Sequence, residues 1–246
     1  MPANEPILKI HNLVKKYGGK VAVDNITLHI KRGSFFGLLG PNGAGKSSTI
    51  HCTTGISTIT SGTISIDGID VVSDYKEALK KVGLSPQEFN VDIFATPEQL
   101  LDYVGGYYGM SKAERIPRRE ELLTRFDLQE HRKKKFQQLS GGLKRRTMLA
   151  RGLMHAPDLM ILDEPTAGVD VQQRHDLWDY LRELNQQRGK TIILTSHYIE
   201  EIEALCDEIA IINNGRIIAQ GSKNDFIKEG NSLESKYLEI TKGDNY

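Results

Sequence analysis

Cysteine is scarce in this 246-residue chain. Only Cys52 and Cys206 occur, far apart and without metal-ligand spacing, so they read as two reduced thiols rather than a metal module. Net charge is missing as well, because 32 lysines and arginines balance 32 acids. A sequence-independent nucleic-acid binder carries a basic excess, so no nucleic-acid partner is expected. No apolar run approaches the ~18 residues that span a bilayer. The N-terminus "MPANEPILKI" lacks a basic region followed by an apolar one, so no secretory signal is expected. Internal repeats and low-complexity linkers are also absent. What remains, 39% hydrophobic and 26% charged residues, is the composition of a soluble globular protein with length for one large domain or two small ones. If it works at a membrane, something else holds it there.

The pattern along the chain is mixed. Residues 7–30 read as two strands around the turn "KKYGGK", and "SFFGLLG" is a short apolar run, as in a strand buried on both faces. "KSSTIHCTTG" reads as a helix, and "GTISIDGIDV" as a hairpin turning at Asp67-Gly68. From Pro97 to about Ala156 helical patterns dominate, with Thr96 as an N-cap and Pro97 in the first turn. Then "LMILD" and "TIILTS" alternate with two helical segments, and "EIAIINNGRIIAQG" turns at Asn214-Gly215. The fold expected is α/β: a parallel sheet covered by helices, an antiparallel β subdomain and an inserted α-helical subdomain. The run "HRKKKF", His131 to Phe136, reads as a solvated loop.

Three motifs carry chemistry. "GPNGAGKS" matches G-x-x-x-x-G-K-[ST] between a strand and a helix. Gly40, Gly43 and Gly45 let successive N–H groups turn inward, and with the helix N-terminus they form a concave anion site. Lys46 would place its charge on the β- and γ-phosphates of a nucleotide, and Ser47 would ligate Mg²⁺. "LMILDEP" sets Asp163 and Glu164 at the carboxyl end of a buried strand, where α/β sheets bind ligands. Asp163 is placed to hold Mg²⁺ through water, and Glu164 to accept a proton from an attacking water. "TIILTSH" delivers His197 to the same edge, where a neutral imidazole can donate one hydrogen bond to the γ-phosphate and accept another.

A second glycine turn, "LSGG", precedes a helix at Gly141 and is not needed to cradle the same phosphates. With the phosphate loop, "LSGG", "LMILDEP", "AGVD" and the lone histidine in this order, the chain resembles the nucleotide-binding subunit of ATP-binding-cassette (ABC) transporters along nearly its whole length. The resemblance implies a P-loop NTPase core with a RecA-like sheet, one ATPase domain over 1–246, and two Mg·ATP held between two copies of the chain. Its parts would be 1–86 (β subdomain and first core segment), 87–156 (helical subdomain), 157–220 (rest of the core) and 221–246 (a short C-terminal element). Ser140, Gly141 and Gly142 would then cap the nucleotide of a second copy, head to tail. Gly40, Pro41, Asn42, Gly43, Ala44, Gly45, Lys46, Ser47 and Ser48 would hold the phosphates. By the same resemblance Tyr17 would stack on adenine, Gln87 would reach Mg²⁺ and link the site to the helical subdomain, and Asp170 would run along the dimer interface, where capping the next helix is an equally cheap role. Leu143 and Ser48 depart from the glutamine and threonine of many members, and the catalytic set is otherwise intact.

"PQEFN", "GYYG", "LSGGLKRR", "LMHAPDLMILDEPTAGVD" and the tail "SLESKYLEITKGD" resemble the ATPases of ABC-2-type exporters. That branch implies separate membrane-spanning permease subunits and a position on the cytoplasmic face of the membrane, with Phe89, Phe94, Tyr103, Tyr107 and Tyr108 in the segment that would line the permease groove. For the tyrosines, packing within the helical subdomain is the other reading. The alternative is a soluble ABC ATPase that assembles a protein complex such as an iron–sulfur scaffold. A translation-associated ABC protein would need two cassettes, and a long-armed DNA-repair ATPase a coiled-coil insertion; the sequence offers neither.

Overall fold

The computed structural model describes residues 5–166, 169, 171–227 and 232–243. Strands β1 (Pro6–Tyr17) and β2 (Lys20–Lys31) pair antiparallel, β4 (Ser61–Ile66) pairs with the free side of β1, and the short β5 (Ile69–Asp70) folds back on β4. The second sheet has six strands: β3 (Phe35–Leu39), β6 (Val82–Ser85), β7 (Leu159–Asp163), β8 (Thr191–Ser196), β9 (Glu208–Asn213) and β10 (Arg216–Ser222). Their order is β10-β9-β3-β8-β7-β6, parallel except for β10. Both hairpin signals hold for one reason. Asp67 and Gly68 have φ of +53° and +79°, and Asn214 and Gly215 +47° and +78°, the left-handed pair that matches the twist of adjoining strands.

The period of two decides which side of the sheet each strand residue serves. Phe35, Leu39, Met160, Leu162, Ile192, Leu194, Ile209 and Ile211 face one core, with α6 (Val171–Gln186), α7 (Ile199–Leu205) and the helical arm. Their neighbours Phe36, Leu38, Leu159, Ile161, Ile193, Ala210 and Ile212 face the other, with the antiparallel sheet and α1 (Lys46–Thr53). Cys206 lies in the first core and Cys52 in the second, both free.

The helical arm comprises α3 (Pro97–Tyr107), α4 (Lys112–Arg125) and α5 (Gly141–Gly152). Thr96 caps α3 with Pro97 in its first turn, as expected. Helix α4 starts at Lys112, ahead of Pro117, because Ser111 and Glu114 form a capping box there, and the proline is carried inside the helix. The basic run is more than a solvated loop. Lys133, Lys134 and Lys135 are exposed, but Arg132 bridges Glu98 of α3 (2.9 Å) and Glu120 of α4 (2.7 Å), and Phe136 is buried in a small third core. Arg132 pulls the Glu120 carboxyl down to about 2. Helix α2 (Tyr75–Lys80), strand β6, α8 (Lys223–Phe226) and α9 (Leu233–Gly243) complete the chain. Strand β6 offers only four residues, one of them Gly83, and that glycine lets β6 approach α5: a β-carbon there would overlap the carbonyl of Gly152.

His155, between α5 and β7, ties the arm to the sheet. Its ring stacks on Tyr108 with centroids 3.7 Å apart, and Nε2 lies 2.9 Å from the Val82 carbonyl. Burial pushes its pKa down from 6.5 to about 4. The unfolded chain therefore binds a proton that the folded chain refuses between those values, so this contribution to stability falls as pH drops through 6.5 toward 4. Unfolding free energy at pH 5 should lie below that at pH 7 by up to about 2 kcal/mol from this group, and His155→Gln should shrink the difference. Denaturant titrations of both proteins at the two pH values check it.

Candidate functional site

The parallel order brings the carboxyl ends of β3, β7 and β8 side by side, with Leu39 opposite Ser196 and Asp163 opposite Thr195. The loop from Gly40 to Gly45 leaves β3 and enters α1. Gly45 has φ +107°, and a β-carbon there would sit 2.6 Å from the Ala22 carbonyl, so only glycine fits. The loop is braced from outside: the Gly215 N–H donates to the Ala44 carbonyl (2.9 Å), and the Asp24 N–H to the Gly215 carbonyl (2.8 Å). The Asn214-Gly215 turn and β2 thus hold the loop's shape.

Lys46, 5% exposed, donates to the carbonyls of Gly40 (2.7 Å) and Pro41 (3.1 Å) and lies 3.7 Å from Glu164 Oε1. Burial pulls its ammonium below the usual lysine range, and the charges of Glu164 and Asp163 oppose that. Glu164, 7% exposed, has φ +48°, a left-handed conformation that costs a non-glycine residue of order 1–3 kcal/mol. Its N–H donates to the Thr195 carbonyl (3.1 Å) and lies 3.2 Å from Thr195 Oγ1. Its side chain is gripped on both oxygens: Gln87 Nε2 donates to Oε2 (3.0 Å), and His197 Nδ1 lies 3.0 Å from Oε1. The Thr195 hydroxyl also donates to Asp163 Oδ1, on which the Ser47 hydroxyl converges at 3.4 Å.

These groups line or back a cleft of about 570 Å³, whose walls include Tyr17, Asn42, Gly43, Ser47, Ser48 and Gln87. Tyr17, 46% exposed, stands at the rim; its hydroxyl is 3.2 Å from Ser57 Oγ, and Lys15 Nζ lies 4.6 Å from the ring centre. An anion fits here: glycine-turned backbone, the N-terminus of α1 and one lysine converge. A hard divalent cation fits too, on Ser47 and Asp163. Among the described residues no three histidines, cysteines or acids gather as a metal cage, so most ligands would come from water and substrate phosphate, as Mg²⁺ prefers.

Residues 23–167, more than half of the chain, match the family model described as ABC transporter. The chain belongs to the ABC transporter family. The linearmycin resistance ATP-binding protein LnrL of Bacillus subtilis (strain 168) is 42% identical over 219 residues, 89% of this chain and 70% of that one. The Nod factor export ATP-binding protein I of Ralstonia nicotianae is 41% identical over 222 residues, 90% of this chain and 69% of that one. Among solved structures, an ATP-binding subunit of an ABC transporter superposes with a TM-score of 0.87 at 30% identity, covering 96% of this chain and 99% of that one. The dimeric post-hydrolysis state of the cassette MJ0796, bound to ADP and Pi, gives 0.79 at 29% identity, with 87% and 98% covered. The ABC chain is an ATPase with a P-loop NTPase fold.

Not every expected residue meets the others. In this ABC cassette Ser140, Gly141 and Gly142 do not line the cleft. Ser140 and Gly141 are exposed, and Ser140 caps α5 by accepting the Leu143 N–H (3.3 Å). Asp170 lies outside the described residues. Tyr103, Tyr107 and Tyr108 line a separate groove of about 440 Å³ with Ile56, Leu79 and Leu84. Phe89 and Phe94 are not on its wall: Phe89 packs edge-on against Phe136 at 5.6 Å, and Phe94 is exposed beside Lys135. Phe89 turns inward because the loop folds over the third core.

Thr195 is the residue that sequence reasoning missed. Its only signal is a threonine where the alternation of "TIILTSH" leaves a polar group at a buried strand end. Thr195→Val should cost about 1–3 kcal/mol of stability by taking the buried hydroxyl donor from Asp163 Oδ1, while the Glu164 N–H keeps the main-chain carbonyl, and it should lower ATP turnover. Denaturant unfolding and a phosphate-release assay measure the two effects.

Proposed function

We propose that this chain is the ATP-binding and ATP-hydrolysing subunit of an ABC-2-type exporter, working as a head-to-tail dimer around two Mg·ATP and coupled to separate permease subunits. The observation that carries it is the double grip on Glu164 by Gln87 and His197, while the Ser140–Gly142 turn is no part of the same cleft's wall. A nucleotide bound at the phosphate loop needs a cap, and the turn that could supply one lies elsewhere on the chain. Two copies related by a two-fold axis exchange these halves. The dimeric MJ0796 structures and the exporter names of relatives at 41–42% identity support the reading.

In this scheme Tyr17 stacks on the base, and the phosphates lie against Gly40–Ser48 with Lys46 on the β- and γ-groups. Glu164 takes the proton of the attacking water. His197 donates to the γ-phosphate and keeps Glu164 oriented. Ser47, Asp163 and Gln87 would hold the Mg²⁺, which when bound would neutralise developing phosphate charge. Ser140, Gly141 and Gly142 of one copy meet the γ-phosphate held by the other, with Asp170 along the interface. Loss of that phosphate removes the bridge between copies. The helical subdomain, 87–156, turns with these events and presents the tyrosine groove to the permease. In this reading the permease supplies the attachment at the cytoplasmic face; among the described residues no helix is long and apolar enough to cross a membrane.

Glu164→Gln should lower turnover by ~100- to ~10,000-fold, the usual worth of a general base, and should trap an ATP-dependent dimer on a sizing column. Normal hydrolysis by this variant would sink the assignment. Affinity capture of the same variant with Mg·ATP in mild detergent should bring down a polytopic membrane protein at near-equal stoichiometry. A soluble assembly complex in its place would overturn the transport role and leave the ATPase.

A further inference from the structure

Arg145 is an expensive residue. It lies on α5, one turn past the Ser140 cap, and is only 4% exposed. Among the described residues no carboxylate comes within 4 Å of its guanidinium. Instead, Nη1 donates to the Pro86 carbonyl (2.8 Å) and Nη2 to the Gln87 carbonyl (3.4 Å), and the guanidinium carbon sits 5.2 Å from the Phe89 ring centre. Burial pulls its pKa below the usual arginine range, while Asp163, Glu164 and Glu201 act the other way from farther off. Desolvating a cation without a counter-ion is costly, and filling the same volume with an apolar side chain is usually cheaper. A packing role alone therefore does not account for arginine here. What the guanidinium adds is a rigid planar fork that fixes two acceptors at once, which lysine lacks.

Those two carbonyls belong to the residue that touches Glu164 and the one before it. The side chain of Gln87 reaches Glu164, and its main chain is tied to α5 by Arg145. The third core repeats the link in apolar form, with Phe89 against Phe136 and both beside Leu139 and Met148. The glutamine loop and the start of α5 thus share one rigid attachment.

We propose that Arg145 is a positioning residue that makes the Gln87 loop and the Ser140–Gly142 turn move as one unit, so that each ATP site senses the state of the other. It rests on the head-to-tail reading above. When Gln87 shifts at one copy's nucleotide, the fork carries the turn offered to the second copy's nucleotide along with it. Arg145 acts through Gln87 and touches no substrate.

The test is a double-mutant cycle on steady-state ATP hydrolysis by the purified full chain: wild type, Arg145→Met, Gln87→Ala and the double variant. Nucleotide affinity is measured alongside with a fluorescent ATP analogue, and folding by thermal unfolding. Arg145→Met should lower kcat about 10-fold and bring the Hill coefficient for ATP toward ~1, with nucleotide affinity within about 2-fold of wild type. In the Gln87→Ala background the same change should cost less than about 2-fold, because the residue it positions is already gone. Arg145→Lys, which keeps the charge and one carbonyl contact, should recover part of the rate; if Arg145→Met does not fold, it takes that variant's place in the cycle under the same criterion. Equal losses with and without Gln87, or a wild-type rate and Hill coefficient in Arg145→Met, overturn the proposal. Glu164→Gln, assayed in parallel, separates the two levels: normal turnover there defeats the parent reading whatever the cycle shows.

Discussion

The burial of the Glu164 carboxylate is the constraint on which the site depends. A charged group 7% exposed must have its oxygens satisfied, and a missing partner leaves a desolvated charge worth several kcal/mol against the fold. Its partners come from three other segments: Lys46 after β3, Gln87 after β6 and His197 after β8. They can meet because β6, β7, β8 and β3 are neighbours in one parallel sheet and all end at the same edge. Any rearrangement of the strand order would strand the carboxylate. The left-handed backbone at Glu164 points its side chain into this meeting place, and two contacts to Thr195 hold it there.

Around this point the chain divides its apolar residues by strict alternation. One face of the six-stranded sheet is sealed by helices and the other by the antiparallel sheet, and the cleft opens at the carboxyl ends of the strands. The helical arm shares the first core through Leu101, Leu122, Leu123 and Leu149 and carries further ties of its own. Polar and aromatic ties such as Arg132 with Glu98 and Glu120, and Tyr108 on His155, join it to itself and to the core. The third core is small and lies where the glutamine loop and α5 touch. The function proposed for this ATPase makes that contact, together with the apolar seam between the arm and the sheet, the joint at which the arm turns.

Much of this was legible in the sequence because the relevant physics is local. The phosphate loop is one unbroken stretch, and its glycines at Gly43 and Gly45 are demanded by backbone angles that no other residue adopts cheaply. The two hairpins announced themselves as Asp-Gly and Asn-Gly, and Thr96-Pro97 marked the start of α3. Local signals failed where a segment was too short or its start was capped by unexpected residues. Strand β6 has four residues with a glycine among them, and the Ser111–Glu114 box moved the start of α4 past a proline.

Neighbouring residues and periodicities of two or 3.6 were enough to fix most of the elements, the phosphate loop and the acids at the end of β7, with β6 and the start of α4 as the exceptions. The sequence by itself also named Lys46 and His197 from their motifs, and Gln87 through the family resemblance, the three side chains that meet the Glu164 carboxylate. Only the tertiary structure decided that Gln87 and His197 divide the two oxygens of Glu164 between them, that Thr195 joins Asp163 to the Glu164 backbone, that Phe89 turns into the third core while the tyrosines line the groove, and that Arg145 grips the glutamine loop. Those facts join residues distant along the chain. Which of them touch is set by the order of strands and the depth of burial, and neither is written in any one segment.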